Sequence, residues 1–427
     1  MRAARVWRSV LGVENTVIES VELEADGGGE VLVARVRPTR SRRGRCGRCR
    51  RRCPGYDRGE GRRRWRGLDL GTTRLYLEAD APRVACAQHG VTVAAVPWAR
   101  HGSRFTIGFE DTAAWLAAHV ALSTLAILQR ITWRTVSAIV IRVVAELAGR
   151  TDRLAGLRRI GIDEISYRKG QRYLLCVVDH DTGQLVWAGK GRNATTLRGF
   201  FDLLGEQRSI QLTHVSADGA EWIHDVVAER APKAVLCLDA FHIVAWATAA
   251  LDAVRRGMWK QLRAVGNKDQ ATALKGTRWA LLRNPHNQTG NQRTTVASIA
   301  ATNKPLYRAY LLKEQLRMVF ETKGQQGRAL LAGWLAWAQR SRLPEFVKLA
   351  KTIKKYRTLI HNTLDHGLSN ALSEATNTHL RLLTRRAYGY HSADALIAMA
   401  SLTRGGLCPT LPANTARAIM NSPRKRQ

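Results

Sequence analysis

The spacing of apolar and polar residues changes several times along this chain of 427 residues. Residues 17–38 (VIESVELEADGGGEVLVARVRP) alternate around a Gly-rich turn, and this pattern predicts a β-hairpin. A second short strand is expected over residues 72–86 (TTRLYLEADAPRVAC). Residues 107–150 place apolar side chains at i, i+3 and i+4 instead, which predicts three helices. The third helix begins in ITWRT, where a capping threonine precedes polar and basic positions. This layout is typical of a helix-turn-helix, whose recognition helix presents its first residues to the major groove. The residues expected to contact DNA there are Arg130, Thr132, Arg134 and Thr135.

The period of two returns at residue 158. The segments RRIGIDEIS, RYLLCVVDHD and LVWAGKG are joined by short polar turns and predict three antiparallel strands. Two further strands, LTHVSADG and AVLCLDAFH, then alternate with helices, so we expect a mixed α/β sheet. Residues 241–362 have almost entirely helical patterns, and two more helices follow before a short basic tail.

The charge of the chain predicts what kind of molecule it binds. Lys and Arg number 68 against 34 acids, which gives a formal net charge of +34. An imbalance of this size indicates a polyanionic partner, because basic surfaces neutralise phosphates and release counterions. Nucleic acid is favoured over membrane lipid, because the arginines are spread over several apparently folded segments. No signal peptide is visible, and the most apolar stretch (AAWLAAHVALSTLAIL) carries His119, so we expect a cytoplasmic, nucleoid-associated protein without a membrane partner.

The cysteines suggest a metal site. The chain has seven, an odd number, and four lie within or near one Arg-rich segment, which favours metal ligands over a disulfide framework. Cys46-x2-Cys49 and Cys86-x2-His89 would form two knuckles that together supply four ligands for one structural Zn²⁺. The alternative is a set of reduced thiols in a basic loop. Cys53 is spare and could replace one of the ligands.

In a chain this basic, two acids on a strand of the predicted sheet are unexpected. Asp163 and Glu164 are adjacent on the first strand of the predicted sheet, and since strand side chains alternate, only one of them can serve a given site. Asp218 ends the fourth strand, and it could meet Asp163 if those two strands are neighbours. Glu374 lies on a late helix. Its spacing gives that helix a polar stripe of Asn370, Glu374, Asn377 and Arg381.

Three carboxylates in one place repel one another unless cations neutralise them. Mg²⁺, or Mn²⁺, prefers oxygen ligands and keeps open positions for phosphate and water. Two such ions can hold the attacking and leaving oxygens of a phosphodiester displacement. The acids of this basic chain therefore predict a divalent-metal site that acts on DNA.

The chain resembles the ISL-three family of bacterial insertion-sequence transposases. The segments that carry the resemblance are GIDEISYRKGQRYLLCVVDHDTG, VSADGAEW, CLDAFHIV and the long run from NALSEATNTHLRLL to GGLCP. Upstream, GYDRGEGRRRWRGLDLG, CAQHG and VPWARHGSRFT resemble the family's zinc-binding segment, and ITWRTVSAIV its helix-turn-helix. The second knuckle departs from the Cys-x2-Cys of many members, since it has His89 in the last position.

The resemblance implies an RNase H-like core with an Asp-Asp-Glu triad formed by Asp163, Asp218 and Glu374. Asp239 and His242 match a D-x-x-H motif with a supporting or DNA-handling role, and the long gap before Glu374 implies a helical insertion. We also expect support from Asn370 and Asn377 and DNA contacts from Arg381, Arg385 and Arg386. The implied activity is cut-and-paste transposition by a homodimer that binds double-stranded DNA at terminal inverted repeats and joins it to target DNA.

The resulting expectation is a multidomain α/β protein. Its parts are a β and zinc-binding domain (1–105), a helix-turn-helix region (106–152), the first part of the catalytic core (153–242), a helical insertion (243–362) and the final core helices with the tail (363–427). One alternative is a non-catalytic DNA-binding regulator derived from a transposase, which would have no reason to keep the acids. Another is a structure-selective nuclease that does not join strands.

Overall fold

The computed structural model describes residues 2–27, 29–168, 170, 172–368, 371–387, 389–390 and 392–411. The chain divides into two compact units. The first comprises the chain up to Asp152 together with the chain from Tyr390 onward, and the second comprises Arg153–Gly389. The boundary after Asp152 coincides with the expected start of the core, and the expected range 363–427 falls in both units.

The first unit contains two small sheets. The sequence predicted the hairpin of β1 and β2, which pair antiparallel. The four-stranded sheet has the order β1-β2-β5-β4 and the three-stranded sheet the order β3-β6-β7. The segment TTRLYLEADAPRVAC, expected to form one strand, forms two strands in different sheets, because Pro82 interrupts it. Strands β1 to β7 are Thr16–Asp26, Gly29–Pro38, Gly55–Asp57, Arg62–Arg66, Arg74–Asp80, Arg83–Cys86 and Gly90–Val93.

Four helices of the first unit precede residue 152. Helix α1 (Arg2–Val10) was not predicted. Helices α2, α3 and α4 are the three that the apolar spacing predicted, with bounds Ile107–His119, Leu122–Leu128 and Trp133–Ala148. Thr106 and Thr132 cap α2 and α4, since each hydroxyl accepts a hydrogen bond from a backbone N–H three residues later.

A five-stranded mixed sheet forms the centre of the second unit. Its order is β10-β9-β8-β11-β12, with β10, β9 and β8 antiparallel and β8, β11 and β12 parallel. The predicted meander and the predicted mixed sheet are both confirmed. Ile160, Val177, Val215 and Phe200 are fully buried in its core, which the helices beside the sheet cover. Strands β8 to β12 are Arg159–Arg168, Arg172–Asp179, Leu185–Lys190, His214–Ala217 and Val235–Leu238.

The rest of the second unit is helical, as the apolar spacing predicted. Helices α5 to α7 alternate with the strands, and α8 to α15 form an insertion with its own core around Trp334 and Phe346. Helix α16 packs against β8 and β9. Helices α5 to α16 are Ala194–Leu204, Glu206–Ser209, Glu221–Arg230, Ala240–Ala264, Lys268–Gly276, Arg278–Leu282, Gly290–Thr302, Lys304–Thr322, Gly324–Gln339, Pro344–Lys355, Arg357–His366 and Ala371–Arg386.

The last helix returns to the first unit. Helix α17 (Ala393–Arg404) packs against α2 and α4, so its apolar residues complete the core of the helix-turn-helix. Its Leu396, Met399 and Leu402 are buried. Among the described residues, no helix combines the length and apolar character that crossing a membrane requires.

Candidate active site

Three aspartates lie near one edge of the parallel part of the sheet. Asp218 and Asp239 directly follow β11 and β12, and Asp163 lies within β8, just beyond the residues of β8 that pair with β11. Gly161 of β8 is paired with Ser216 of β11, so Asp163 and Asp218 follow these partners by the same number of residues. Ala217 is paired with Leu238 of β12, and Asp218 and Asp239 come next. Strand β11 is therefore the direct neighbour of β8. This is the arrangement on which the predicted proximity of Asp163 and Asp218 depended. The register brings Asp239 to the same edge of the sheet.

Hydrogen bonds hold the turn after Asp218. The Asp218 carboxylate accepts from the N–H of Ala220 (3.0 Å), and the imidazole of His224 donates Nε2–H to the Asp218 carbonyl oxygen (2.8 Å). Tyr356, at the start of α15, donates its hydroxyl to the carbonyl oxygen of Gly219 (3.2 Å). A Cβ on Gly219 would lie 2.9 Å from the indole of Trp246, so any larger residue would require the indole to shift. The carboxylate thus projects from a braced turn.

Asp239 and His242 form a close pair at the start of α8. The Asp239 side chain caps the helix by accepting from the N–H of Phe241 (3.1 Å), and its other oxygen accepts from Nδ1–H of His242 (2.7 Å). The Asp239 side chain is 1% exposed. This hydrogen bond raises the pKa of His242 to about 9, so the imidazole is cationic at neutral pH. A positive charge is thereby held beside the aspartates.

Helix α16 brings an amide and a carboxylate to the same acids. Asn377 is buried and donates Nδ2–H to the Asp163 carboxylate (2.7 Å). Glu374 lies one turn earlier and is half-buried, with Oε1 fully covered. Burial raises its pKa, and the charges of Asp239 and Asp163 add to the effect. Glu374 therefore faces the aspartates and not the solvent.

The sequence did not indicate a role for Glu164. Its carboxylate pairs with Arg192 (2.5 Å), whose guanidinium lies 5.0 Å from the ring centroid of Tyr173. Burial raises the pKa of Glu164 to about 7, and the charge of Asp218 contributes in the same direction. Both acids of the pair on β8 thus lie within electrostatic reach of Asp218, although strand alternation separates their side chains.

The donor set of this cluster suits a hard cation. Burial raises the pKa of Asp163 to about 6, so its charged form is poorly solvated by the protein alone. Within the described residues, no hydrogen-bond donor reaches the buried oxygens Oε1 of Glu164, Oε1 of Glu374 or Oδ1 of Asn377. Buried acceptors without partners beside destabilised carboxylates are what oxygen-coordinated Mg²⁺ or Mn²⁺ would satisfy.

The carboxylates are not closely gathered, however. Among the described residues, only one group of three or more metal-ligating side chains has its ligand atoms within 4.8 Å of one another, and that group lies in the first unit. It consists of Cys46, Cys49, Cys86 and His89, the four residues that the spacing predicted.

The two knuckles meet with the dimensions of a zinc site. The Cys49 and Cys86 sulfurs are 3.7 Å apart, and Nδ1 of His89 lies 3.7 Å from the Cys46 sulfur and 3.6 Å from that of Cys86. A tetrahedral site with Zn–S bonds of about 2.3 Å has ligand separations of about 3.5 to 3.8 Å. Backbone N–H groups of Gln88 and His89 help to lower the pKa of the Cys86 thiol to about 7. Cys53 lies outside the group of four.

The helix-turn-helix residues have different surroundings. Thr132 is the cap of α4 and accepts from the N–H of Thr135 (3.3 Å). Arg134 is exposed, 5.5 Å from the ring centroid of Trp133, and can reach a partner. Arg130 instead pairs with Asp69 (3.1 Å from Nε) and donates to the carbonyl oxygen of Thr72 (3.0 Å).

A buried ionic network braces these helices. Arg100 donates to Glu110 and Asp111 of α2, at 3.2 and 2.7 Å, and also pairs with Glu146 of α4. Glu110 is fully buried and also pairs with Arg142 of α4. The network ties the segment before α2 to both helices, and its residues carried no recognisable signal in the sequence.

The remaining predicted DNA contacts lie on α16. Arg381, Arg385 and Arg386 are all exposed there. Asn370, also expected to support the site, lies outside the described residues.

A mixed sheet with acids gathered at one edge, together with a four-ligand Cys and His cluster and a helix-turn-helix, is the layout expected of a transposase with an Asp-Asp-Glu core. Three family profiles agree with this class. A transposase profile matches residues 160–400, one for the zinc finger of transposases of IS204, IS1001, IS1096 and IS1165 matches 42–89, and one for the helix-turn-helix of transposase family ISL3 matches 94–144. The chain belongs to the ISL3 family of transposases.

Individual relatives support the same assignment. The transposase for insertion sequence element IS1557 of Mycobacterium tuberculosis, in strains CDC 1551 and H37Rv, is 52% identical over 96% of this chain and 98% of its own length. The transposase for IS1001 of Bordetella parapertussis is 26% identical over 78% of this chain and 82% of its own length. The protein is thus a DNA-binding transposase, and the reading as a non-catalytic regulator is not supported.

Proposed function

We propose that the protein cuts and rejoins the DNA ends of its insertion sequence at a site formed by Asp163, Asp218 and Glu374. The observation that carries the proposal is the register of β8, β11 and β12, which sets Asp163 and Asp218 side by side at one sheet edge. Asn377 of α16 adds support, since its hydrogen bond to Asp163 fixes the helix that carries Glu374.

Each residue has a distinct task in this proposal. Asp163 and Asp218 offer carboxylate oxygens from the sheet, and Glu374 offers one from α16. Asn377 orients the Asp163 carboxylate, and the cationic His242, held by Asp239, offsets part of the negative charge. Two Mg²⁺ or Mn²⁺ ions bound by the three acids would activate a water molecule and stabilise the charge that develops on the scissile phosphate.

The reaction has two steps of one kind. Water attacks the scissile phosphorus in line, the bond to the 3′-oxygen breaks, and the cut end is released with a 3′-hydroxyl. That hydroxyl then attacks a phosphodiester of the target DNA. Its oxygen forms a bond to the target phosphorus, the bond from that phosphorus to the target 3′-oxygen breaks, and the target strand is left with a free 3′-hydroxyl. The same carboxylates serve both steps, because both displace an oxygen from a phosphodiester.

Recognition of the terminal inverted repeats is assigned to the first unit. Arg134 and Thr135 lie in the first turn of α4, where recognition helices contact base edges. Arg130 is proposed to position the turn, since Asp69 holds it. Arg381, Arg385 and Arg386 would contact DNA near the acids. We also propose that two copies of the chain act together, one at each end of the element.

The test is incubation of the purified protein with a labelled duplex of the terminal repeat, a target duplex and Mg²⁺. The proposal predicts products cut at the end of the repeat and products joined to target DNA, both dependent on the metal. Cut products without joined ones would indicate a nuclease instead. Specific binding without either product would leave only a DNA-binding protein.

A further inference from the structure

Two adjoining cavities lie beside the zinc ligands in the first unit. The smaller has a volume of about 70 Å³ and includes Arg50, Arg63 and His101 in its lining. The larger, of about 740 Å³, is lined by one acid, Glu60, and by five arginines: Arg62, Arg63, Arg64, Arg83 and Arg104. Arg63 and Val93 line both, so the two cavities adjoin at these residues. We call the two together the arginine groove.

The arginines of the groove fall into two groups. Arg62 pairs with Glu78 and Asp80, Arg64 pairs with Glu78 and Glu24, and Arg83 pairs with Asp57. These three are neutralised, and they join the strands that form the walls.

The second group is not neutralised. Among the described residues, the guanidinium of Arg50 donates only to the carbonyl oxygen of Val96 (3.3 Å), and that of Arg63 only to the carbonyl oxygen of Ser103 (3.1 Å). Across the described part of the chain, no carboxylate lies within ion-pair distance of Arg50, Arg63 or Arg104. His101 and the exposed Arg48 lie nearby. Partial burial lowers the pKa of His101, and the positive charges of Arg48, Arg50 and Arg63 lower it further.

The groove is built before any ligand arrives. Arg50 follows Cys49 with a left-handed φ of 61°, and its backbone N–H closes the turn of the knuckle by donating to the carbonyl oxygen of Cys46 (3.0 Å). The guanidinium of Arg63 lies 5.5 Å from the ring centroid of buried Trp65. At the base of the smaller cavity, a Cβ on Gly47 would lie 2.6 Å from the carbonyl oxygen of Val93, so the backbones are in close contact there. A preformed site loses little conformational freedom on binding.

The chemistry of the lining indicates what binds. Uncompensated guanidinium groups in a concave site bind phosphate oxygens, often in a bidentate manner. No Asn or Gln lines either cavity, and these are the amides that read adenine edges. Contacts of arginine to phosphate fix position without reading sequence. The groove therefore suits the phosphates of a nucleic-acid backbone.

We propose that the arginine groove binds the DNA backbone through Arg50, Arg63 and Arg104, independently of base sequence. It would add a phosphate-binding surface to the base-reading helix α4 of the same unit. The inference rests on the proposed binding of terminal-repeat DNA, and it divides that binding into a part that gives affinity and a part that gives specificity.

The test measures binding of the zinc-loaded full chain to a terminal-repeat duplex and to a scrambled duplex, each over a range of salt concentrations. Arg50→Gln and Arg63→Gln should each weaken binding to both duplexes about tenfold, and should each lower the slope of log affinity against log salt by about 1. Arg63→Lys keeps the charge and should keep the slope. Arg8→Gln is the matched control: it removes the same charge from the exposed face of α1 and should change neither.

The possible outcomes separate the two ideas. Zinc content and the unfolding midpoint of each variant show whether its fold is intact. An unchanged slope in Arg63→Gln and Arg50→Gln would overturn the groove, and so would a loss confined to the terminal-repeat duplex. Failure of the proposed function would look different, since the wild-type protein would then show no preference for terminal repeats over scrambled DNA.

Discussion

The zinc ribbon of the first unit and the acid cluster of the second differ in how closely the protein brings the metal ligands together before a metal binds. In the ribbon, Cys46, Cys49, Cys86 and His89 already converge within 4.8 Å, and two short knuckles supply all four ligands. In the acid cluster, Asp163, Asp218 and Glu374 come from two strands and a distant helix, and burial raises the pKa of two of them.

The difference matches the two uses of a metal. A closed set of soft ligands holds a structural ion permanently, because every coordination position is filled by the protein. An open set of hard ligands leaves positions for water and phosphate. Without the metal, the carboxylates of such a set are partly buried and lack a neutralising partner. We infer that the ribbon is organised for stability and the acid cluster for exchange of substrate.

Removing an acid should produce the largest effect. Asp163→Asn and Asp218→Asn should each lower cleavage of a terminal-repeat duplex by about 1,000-fold or more, because about 4 kcal/mol of charge stabilisation at the phosphate is lost. Binding of the duplex should be retained. Asp225→Asn, on the exposed face of α7, is the matched control and should cleave normally. Normal cleavage by Asp163→Asn would refute its role.

Removing a zinc ligand should have an effect of a different kind. Cys46→Ser should lose zinc, destabilise the ribbon by several kcal/mol and impair binding to terminal repeats. The fold of residues 158–240 should persist, since it lies in the other unit. Metal analysis and circular dichroism provide the measurements. Cys53→Ser is the control, and a loss of zinc there would mean that Cys53 replaces one of the four ligands.

The smallest effect concerns stability and pH. The pKa of Asp163 is raised from 3.8 to about 6, so folding favours its protonated form. That contribution to stability is present below pH 4 and is lost as pH rises through 6. Asp163→Asn, which cannot ionise, should therefore be more stable than wild type at pH 8 by about 1 to 3 kcal/mol, with the gap closing toward pH 4. Denaturant unfolding without divalent metal measures this, and an equal gap at both pH values would argue against a destabilised charge.

Local pattern was enough for most of the fold. Alternation predicted the five strands of the core sheet, and the Cys and His spacing predicted the zinc ligands, because both signals come from residues close in sequence. Helix α1 was not predicted. The strand expected from Thr72 to Cys86 divides between two sheets, because the sequence of a strand does not specify which other strands it pairs with.

The acid cluster shows where sequence reasoning stopped. Pattern and resemblance together named Asp163, Asp218 and Glu374, but the support of Asp218 by His224 and Tyr356 depends on elements that meet only in the folded chain. Glu164 was set aside because strand alternation turns it away from Asp163, yet burial leaves it within reach of the charge on Asp218. The pairing of Arg130 with Asp69 is equally nonlocal.

The most direct test of the central claim is a crystal structure of the protein grown or soaked with Mn²⁺, with the ions located by anomalous scattering. We expect anomalous peaks beside the carboxyl end of β11 and the middle of β8, coordinated by Asp218 and Asp163, with Glu374 as a further ligand once DNA is bound. Mn²⁺ bound elsewhere, or a Glu374 carboxylate that stays remote from the ions in the DNA complex, would contradict it.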